Sequence, residues 1–344
     1  MKNDQEVNKE KQLWIIDTDP GTDDLMCMLY MFNRPEVEVL FISLSEGNCR
    51  LEHVKHNIKR TFLIHGKSYL TYVGSKTKMI YGQDNAYGYH YDDGMGDIDE
   101  IKKLDTSTIN ISKDSDYSAK MMVYYINKFP GKINILALAP LTNLALAYMI
   151  DPSITRKIKD IVTMGGSYLQ RGNANATAEF NYYHDYLACH IFFRSFKNLL
   201  VVPWETCEFV MFGVEELKKS KEIAIEKWGS YDENVYKYLD LILTKYSKDK
   251  SGCAICDLYA AIAYFVPKSV KTHFISKSTI IIDSNNHNGS FMISDREDTT
   301  ESYEKCIENY LKKGEEIKKG YNLYVEEMHK EIIVSEFSYV LKPN

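Results

Sequence analysis

Residues 13–25 read LWIIDTDPGTDDL, and this stretch decides the fold. An apolar run comes first, and apolar residues recur at helical spacing from Leu25 to Phe32. Between the two lie a Pro-Gly pair and four acids, namely Asp17, Asp19, Asp23 and Asp24. The pattern predicts a buried strand, a tight turn and a helix. It therefore puts the carboxylates at the carboxyl end of a strand, where open α/β sheets bind their ligands.

Four carboxylates at one place indicate a cation site. Burying them together is costly unless a cation neutralises them, and oxygen ligands favour Ca²⁺ or Mg²⁺. A solvated acidic turn with a helix-capping Asp is the structural alternative. An EF-hand is excluded, because its Gly and Glu positions, counted from Asp17, hold Thr22 and Met28. A Mg²⁺-dependent phosphohydrolase of the haloacid dehalogenase type stays open as the less favoured alternative, since Asp17-x-Asp19 resembles its opening.

Composition limits the classes of function. The chain has 344 residues, 44% of them hydrophobic, and a net charge of −6, which gives no electrostatic footprint for nucleic acid. Residues 1–12 are charged and predict a disordered lead, not a signal peptide, before one catalytic domain over 13–344. The most apolar stretch, 133–150, is broken by polar residues, so no membrane span is expected. Seven irregularly spaced cysteines favour reduced thiols and a cytoplasmic protein.

Further strands and helices alternate along the chain. Strands are predicted at 37–44, 72–74, 132–139, 159–164 and 199–203, with helices between them, and two late strands at 278–283 and 290–294. This alternation predicts an α/β fold with an open, mostly parallel sheet flanked by helices. Residues 83–99, rich in Gly, Tyr and Asp, have the length of an active-site flap. Mostly helical segments are predicted at 212–247, 302–319 and 326–341.

The motif Asp-x-Asp-Pro-Gly-x-Asp-Asp at 17–24 resembles the opening of the inosine-uridine-preferring nucleoside hydrolases. A second segment resembles that family's Met-Gly-Gly, Asn and Glu-Phe-Asn signature, with Met164, Asn173, Glu179 and Asn181 in the matching positions. Single residues match at other places, namely Asn48, His90 with the frame 93–96, Thr142, Asp185 and Asp257. The resemblance extends from about residue 13 to 341.

The resemblance implies Ca²⁺-dependent hydrolysis of the N-glycosidic bond of ribonucleosides to ribose and free base. The implied metal ligands are Asp19, Asp24, the main-chain carbonyl of Thr142, and Asp257. Asp19 would also activate a calcium-bound water that Asn48 adjoins, and Asp17 would support the cluster. The implied substrate contacts are Asp23, Met164, Asn173, Glu179, Asn181 and Asp257. The expected partners are a small ribonucleoside and further copies of the chain in a homodimer or homotetramer.

The chain departs from the family at Cys256, where the inosine-uridine branch has a His thought to protonate the leaving base. A Cys is a weak acid there, or simply a small buried hydrophobe. His90 is the other candidate acid, and its tyrosine-rich loop could stack on the base, as could Trp204 or Tyr259. Because the usual His is missing, a non-catalytic relative that binds a nucleoside or calcium is the second hypothesis.

Overall fold

The computed structural model describes residues 11–80, 88–112, 117–249, 252–282, 287–312, 318 and 320–344. Its strands are β1 Gln12–Thr18, β2 Val37–Leu44, β3 Thr71–Val73, β4 Ile133–Ala137, β5 Ile158–Met164, β6 Leu199–Val202, β7 Met211–Phe212, β8 Cys253–Ala254, β9 Val270–Ile280, β10 Phe291–Glu297 and β11 Asn322–Met328. Its α-helices are α1 Thr22–Asn33, α2 Leu51–His65, α3 Asp99–Lys102, α4 Tyr117–Lys128, α5 Thr142–Ile150, α6 Phe180–His184, α7 Tyr186–Ser195, α8 Trp204–Glu208, α9 Val214–Trp228, α10 Glu233–Asp249, α11 Cys256–Phe265, α12 Tyr303–Cys306 and α13 Lys330–Phe337.

One large sheet organises these elements. Its nine strands are ordered β10-β9-β11-β6-β5-β4-β1-β2-β3, and every neighbouring pair from β11 to β3 is parallel. The strand β9 runs antiparallel to β11 and to β10. The predicted α/β class with an open, mostly parallel sheet is therefore confirmed.

The strand order reverses at the centre of this sheet. From β1 the chain proceeds to β2 and β3 on one side, whereas β4, β5 and β6 extend on the other side. Neighbouring connections that leave in opposite directions open a crevice at the carboxyl ends of β1 and β4. The acids that follow β1 and the Thr142 turn that follows β4 both lie at this crevice, so the topology positions the site.

The central strand is apolar on both faces. Trp14 and Ile16 pack into one core cluster with α1 and α11, and Trp14 meets the Tyr264 ring edge-on at 5.0 Å. Ile15 points to the opposite face and joins a second cluster, which also contains Phe192 from α7. Burial on two faces explains why β1 reads as a continuous apolar run and not as an alternating one.

Several predicted boundaries are wrong. The closing helix predicted at 326–341 is preceded by β11, and α13 begins only at Lys330, because β11 is held by pairing with β6 and β9. The strand β9 begins at Val270, eight residues before the predicted start at 278. Gly229, with φ of 77°, separates α9 from α10 inside the segment predicted as mostly helical.

Other predictions fall partly outside the described residues. β1 begins at Gln12, the last residue of the predicted lead, and residues 1–10 of that lead are not described. Part of the predicted flap, residues 83–87, is likewise outside them. The predicted helix 302–319 is described as α12 followed by a π-helical stretch, Ile307–Lys312. Among the described helices, none is long and apolar enough to cross a bilayer.

Candidate active site

Three buried carboxylates form a group that could hold a metal ion. Ligand atoms of Asp23, Asp24 and Asp257 lie within 4.8 Å of one another. The first two lie in the first turn of α1 and the third in the first turn of α11, which packs against α1. Burial, followed by the negative charge of Asp23, holds the pKa of Asp257 well above its usual range. An all-carboxylate, buried donor set fits a hard divalent cation.

Asp19 lies beside this group but is not one of its three members. Its Oδ2 accepts a hydrogen bond of 2.6 Å from the Asn48 backbone N–H, and its buried Oδ1 has no partner among the described residues. Burial, and next the charge of Asp24, raise the pKa of Asp19 well above normal. A buried carboxylate oxygen without a partner is the kind of acceptor that a cation or a water proton satisfies.

Asn48 connects two of the acids. Its backbone binds Asp19, while its side-chain amide donates to Asp24 Oδ2 at 2.9 Å. Asp24 Oδ2 also accepts from the Gly21 backbone at 2.8 Å, and Asp24 Oδ1 accepts from the Thr18 hydroxyl. Asn48 also lines the cavity beside the acids, and its predicted place next to a metal-bound water stays a prediction.

Asp17 is held by two neighbouring side chains, and its predicted supporting role stays a prediction. Its Oδ1 accepts from Asn143 Nδ2 at 2.9 Å and from the Ser43 hydroxyl, and burial raises the pKa of Asp17 to about 6. Asn143 also donates to the Leu44 carbonyl at 3.0 Å and accepts from the Ser75 backbone at 2.9 Å. Asn143 is thus a site residue that sequence analysis did not single out, although it directly follows Thr142.

Thr142 begins α5 at the crevice. Its hydroxyl donates to Asp185 Oδ2 at 2.7 Å, and the same oxygen accepts from the Met79 backbone at 2.9 Å. Asp185 therefore fixes the Thr142 turn, which gives a structural reason for the acid that follows the Glu-Phe-Asn motif. The role of the Thr142 carbonyl as a metal ligand stays a prediction.

A cavity of about 370 Å³ opens beside the acids. Its lining residues are Asp23, Asn48, Gly88, Tyr89, His90, Leu138, Met164, Asn173, Glu179, Phe180, Asn181, Trp204, Cys256 and Asp257. All the predicted substrate contacts are in this set, as are two of the three predicted catalytic residues. The exception, Asp19, adjoins the lining residue Asn48. The size is that of a small-molecule site.

Polar side chains gather at one side of the cavity. Glu179 caps α6 and accepts backbone hydrogen bonds of 2.8 Å from Gly166 and from Asn181. Burial raises the pKa of Glu179 to about 7. Asn181 Nδ2 donates to the Leu138 carbonyl at 2.7 Å, and Asn173 Oδ1 accepts from a backbone N–H at 2.8 Å. These bonds fix three side chains whose types suit sugar hydroxyls.

His90 faces the acids from the loop after residue 87. Its Nε2 lies 3.4 Å from Asp23 Oδ1, and its Nδ1 lies 2.7 Å from the Thr22 hydroxyl and 3.3 Å from the Tyr246 hydroxyl. Asp93 organises the loop by accepting from two backbone N–H groups beyond it. Tyr246, on α10, is a site residue that sequence analysis missed, because only folding brings α10 to this loop.

The remaining wall is aromatic and sulfur-containing. Trp204 lines the cavity, and Tyr89 meets it edge-on with ring centroids 6.3 Å apart. Cys256 also lines the cavity, and burial raises the pKa of its thiol well above normal. The suggestion that Tyr259 stacks on the base is wrong, because this residue is fully buried in the core and its hydroxyl donates to the Val210 carbonyl.

Known proteins resemble this chain in sequence and in fold. It is 34% identical over 219 residues to a probable uridine nucleosidase 1 of Oryza sativa. The aligned segment makes up 63% of this chain and 65% of the relative. It is 27% identical over 260 residues to an inosine-uridine preferring nucleoside hydrolase of Leishmania major, and that alignment covers 75% of this chain and 80% of the relative. The chain thus matches a little under two thirds of the length of the rice relative.

The solved plant nucleoside hydrolase PpNRh1 has the same fold. It superposes with a TM-score of 0.77 over 96% of this chain and 99% of its own, at 23% identity. In addition, residues 14–319 match the family described as inosine-uridine preferring nucleoside hydrolase, which is most of the chain. The protein therefore belongs to the inosine-uridine preferring nucleoside hydrolase family.

Proposed function

We propose that this protein is a Ca²⁺-dependent hydrolase that cleaves ribonucleosides to ribose and free base. One observation carries the proposal: two members of the acidic group, Asp23 and Asp257, line the same cavity as the polar set Asn173, Glu179 and Asn181. An acidic group that could hold a metal ion, next to amide and carboxylate side chains that suit sugar hydroxyls, favours a ribose as the bound group. The names of the rice and Leishmania relatives support a nucleoside as the substrate class.

Four groups would hold the cation. We propose Asp19, Asp24, the Thr142 carbonyl and Asp257 as its ligands. The unpartnered Oδ1 of Asp19 and the closeness of Asp24 to Asp257 support this set. When bound, Ca²⁺ supplies positive charge that neutralises these carboxylates, orients hydroxyl groups and makes nearby water more acidic.

The protein's own residues then divide the reaction between them. The Asp19 carboxylate takes a proton from the attacking water, whose oxygen bonds to the anomeric carbon while the carbon–nitrogen bond breaks. Positive charge develops on the ribose as in other glycoside hydrolyses, and the surrounding carboxylates stabilise it. Asp23 and Asp257 hold the 2′- and 3′-hydroxyls, Asn173 and Glu179 hold the 5′-hydroxyl, and Asn181 contacts the ring hydroxyls.

The departing base needs a proton or another form of stabilisation. Cys256 is a poor donor, because burial raises the pKa of its thiol. His90, which lines the cavity, is the better candidate, and we propose that Trp204, another lining residue, packs against the base. Rates on inosine for His90→Ala and Cys256→Ala test this assignment. If both variants turn over inosine like the unmodified protein, neither residue protonates the base.

The test of the proposed function is a substrate panel. Purified protein is incubated with inosine, guanosine, adenosine, uridine or cytidine, with Ca²⁺ or with EDTA, and reducing sugar is measured. Ribose release that requires Ca²⁺ is the expected result. Binding of a ribonucleoside by calorimetry without turnover would identify a non-catalytic relative. Phosphate release from a phosphate ester with Mg²⁺ would instead favour the dehalogenase-type alternative.

We also propose a homodimer or homotetramer in the cytoplasm. All seven cysteines are buried and none forms a disulfide, which is compatible with a reducing compartment. Native mass spectrometry measures the assembly state, and a monomer at micromolar concentration would contradict the proposed homodimer or homotetramer. Fractionation of the source cells tests the location.

A further inference from the structure

Three consecutive residues of the acidic motif contact the ring of His90. A Cβ on Gly21 would lie 3.1 Å from His90 Cγ, so the ring lies close to the Gly21 backbone. Thr22 Oγ1 lies 2.7 Å from His90 Nδ1, and Asp23 Oδ1 lies 3.4 Å from His90 Nε2. The two ring nitrogens therefore have different neighbours, a neutral hydroxyl on one side and a carboxylate on the other.

Thr22 is a residue of this motif to which neither the proposed cation nor the proposed ribose contacts give a task. It is the first residue of α1 and is fully buried, so its hydroxyl has no contact with bulk water. Of the two hydroxyls close to His90 Nδ1, that of Thr22 is nearer, at 2.7 Å compared with 3.3 Å for Tyr246. A buried hydroxyl at this distance holds the imidazole ring in one orientation.

The direction of these hydrogen bonds is set by a carbonyl at the end of the chain of donors. The Tyr246 hydroxyl donates to the Tyr89 carbonyl at 3.3 Å, and a carbonyl can only accept. Since a hydroxyl has one proton, Tyr246 accepts from Thr22 at 3.2 Å. Thr22 has then used its own proton, so it accepts from His90, and Nδ1 carries the hydrogen. The nitrogen that can exchange a proton is thus Nε2, which faces Asp23.

We propose that Thr22 is a positioning residue, whose hydroxyl binds His90 Nδ1 and keeps Nε2 directed at the cavity, where it protonates the departing base. This inference rests on the proposed function, in which His90 is the candidate acid. In the step itself the Nε2–H bond breaks and the proton bonds to a nitrogen or oxygen of the base, which keeps the electron pair of the broken glycosidic bond. His90 is left as a neutral imidazole with its Nδ1 proton. Thr22 does not line the cavity, so it acts through His90.

The experiment compares two leaving groups. One substrate is the nucleoside of the panel that the protein cleaves fastest, whose base leaves more readily when it is protonated. The other is 4-nitrophenyl β-D-ribofuranoside, because 4-nitrophenolate is a stable anion that leaves without a proton. Both substrates carry the same ribose, so a displaced sugar or cation affects both. A fault in the proton donor affects the nucleoside alone.

Thr22→Val removes the hydroxyl and keeps the size of the side chain. We expect kcat for the nucleoside to fall at least tenfold with KM within threefold, while cleavage of the nitrophenyl riboside stays within threefold of the unmodified protein. Thr22→Ser keeps the hydroxyl and should retain nucleoside cleavage within threefold. If Thr22 acts only through His90, adding Thr22→Val to His90→Ala should cause less than a threefold further loss.

Thr61→Val is the matched control. Thr61 is a buried threonine on α2 that does not line the cavity, and its hydroxyl donates to the Asn57 carbonyl at 3.0 Å. Its replacement therefore also removes a buried hydroxyl, but one that does not contact His90. The ratio of the rates on the two substrates should stay unchanged. Melting curves check that each variant folds.

Nuclear magnetic resonance of protein labelled with ¹⁵N-histidine detects the hydrogen bond without any turnover. The spectrum of His90→Ala identifies the His90 signals by their absence. We expect Nδ1 of His90 to carry a proton in the unmodified protein. The shifts of its ring nitrogens should change in Thr22→Val and stay the same in Thr61→Val.

Three results would overturn the inference. An Nδ1 without a proton, or His90 signals that are unchanged in Thr22→Val, would contradict the contact. Equal losses on the two substrates would show that Thr22 supports the fold of the site and not the proton donor. Nucleoside cleavage by Thr22→Val within threefold of the unmodified protein would contradict the positioning role. If the unmodified protein cleaved neither substrate, the proposed function would fail, yet the His90 signals would still decide whether Thr22 holds the ring.

Discussion

At the residue scale, the four aspartates after β1 differ in the partners of their carboxylates. Both oxygens of Asp24 accept hydrogen bonds, whereas Asp17 and Asp19 each accept through one oxygen and have a second, buried oxygen with no partner among the described residues. Asp23 has a buried Oδ1 that faces the His90 ring at 3.4 Å. The aspartates of this one motif therefore have different surroundings, which supports different roles for them.

Asp19→Asn tests the proposed base. The amide keeps the shape of the carboxylate but cannot take a proton, so we expect kcat to fall roughly 10²–10⁴-fold. The metal-free variant should be at least as stable as the unmodified protein, because a buried charge is lost. Steady-state kinetics and thermal melting in EDTA measure the two effects. Activity within threefold of the unmodified protein would remove Asp19 from the chemistry.

Gly47→Ala tests how closely the second strand's turn approaches the acids. A Cβ at this position would lie 1.9 Å from Asp19 Oδ2, so the carboxylate or the turn must move. We expect activity to fall at least tenfold in a variant that still folds. Gly213→Ala is the matched control, because the nearest atom to its Cβ, Glu216 Oε2, would lie 3.4 Å away. Equal activity of the two variants would show that the turn adapts without cost to the site.

At the element scale, a buried glutamate of α8 shapes the loop between β5 and α6. Glu205 Oε1 accepts from the Ser167 hydroxyl and from the Leu169 backbone, both at 2.7 Å, and its Oε2 accepts from the Tyr168 backbone at 3.3 Å. The same loop continues to Asn173 and Glu179 at the cavity. Glu205 therefore positions substrate contacts that it does not itself make.

Glu205→Ala should loosen this loop. Each buried group that loses its partner costs about 1–3 kcal/mol, so the free energy of unfolding should fall by that order. We expect the KM for the nucleoside to rise about tenfold, with a smaller change in kcat, since substrate positioning is affected more than the chemistry. Glu226→Ala, an exposed change on α9, is the control. A kcat loss with unchanged KM would contradict a positioning role.

At the scale of the whole molecule, the buried acids link stability to pH and to the metal. Burial raises the pKa of Asp17 and of Asp23 to about 6 and that of Glu179 to about 7. Consider pH values between the ordinary pKa of each of these acids and its raised pKa in the folded protein. In that range, and without a cation, the folded protein holds more protons than the unfolded chain. Across that window their contribution to stability must fall as the pH rises.

Melting temperatures with and without Ca²⁺ measure this linkage. In EDTA we expect the melting temperature to fall between about pH 5 and about pH 7.5, with roughly 1.4 kcal/mol lost for each unit of pKa shift. Because a cation binds the ionised carboxylates, the increase caused by Ca²⁺ should grow over the same range. Asp17→Asn should flatten the fall in EDTA. If Ca²⁺ raised the melting temperature equally at about pH 5 and at about pH 7.5, the proposed cation site would be contradicted.

Much of the candidate site could be predicted from the sequence, because its residues belong to short motifs at the ends of strands. The Asp cluster, Asn48, Thr142 and the Glu-Phe-Asn segment are local patterns, and the parallel sheet brings the carboxyl ends of its strands to one edge. The continuous apolar run of β1 likewise predicts that this strand is buried on both faces of the sheet. In these cases the sequence pattern within a short segment is enough, because the burial of a strand and the turn at its end are determined locally.

What only the tertiary structure decided depends on contacts between distant segments. β11 is a strand because β6 and β9 pair with it, and a single sequence does not show that pairing. Tyr246 reaches His90, and Asn143 links Asp17 to the Ser75 turn, through packing of separate elements. In each case the partner residues lie far apart in the sequence, so that no local pattern predicts their contact.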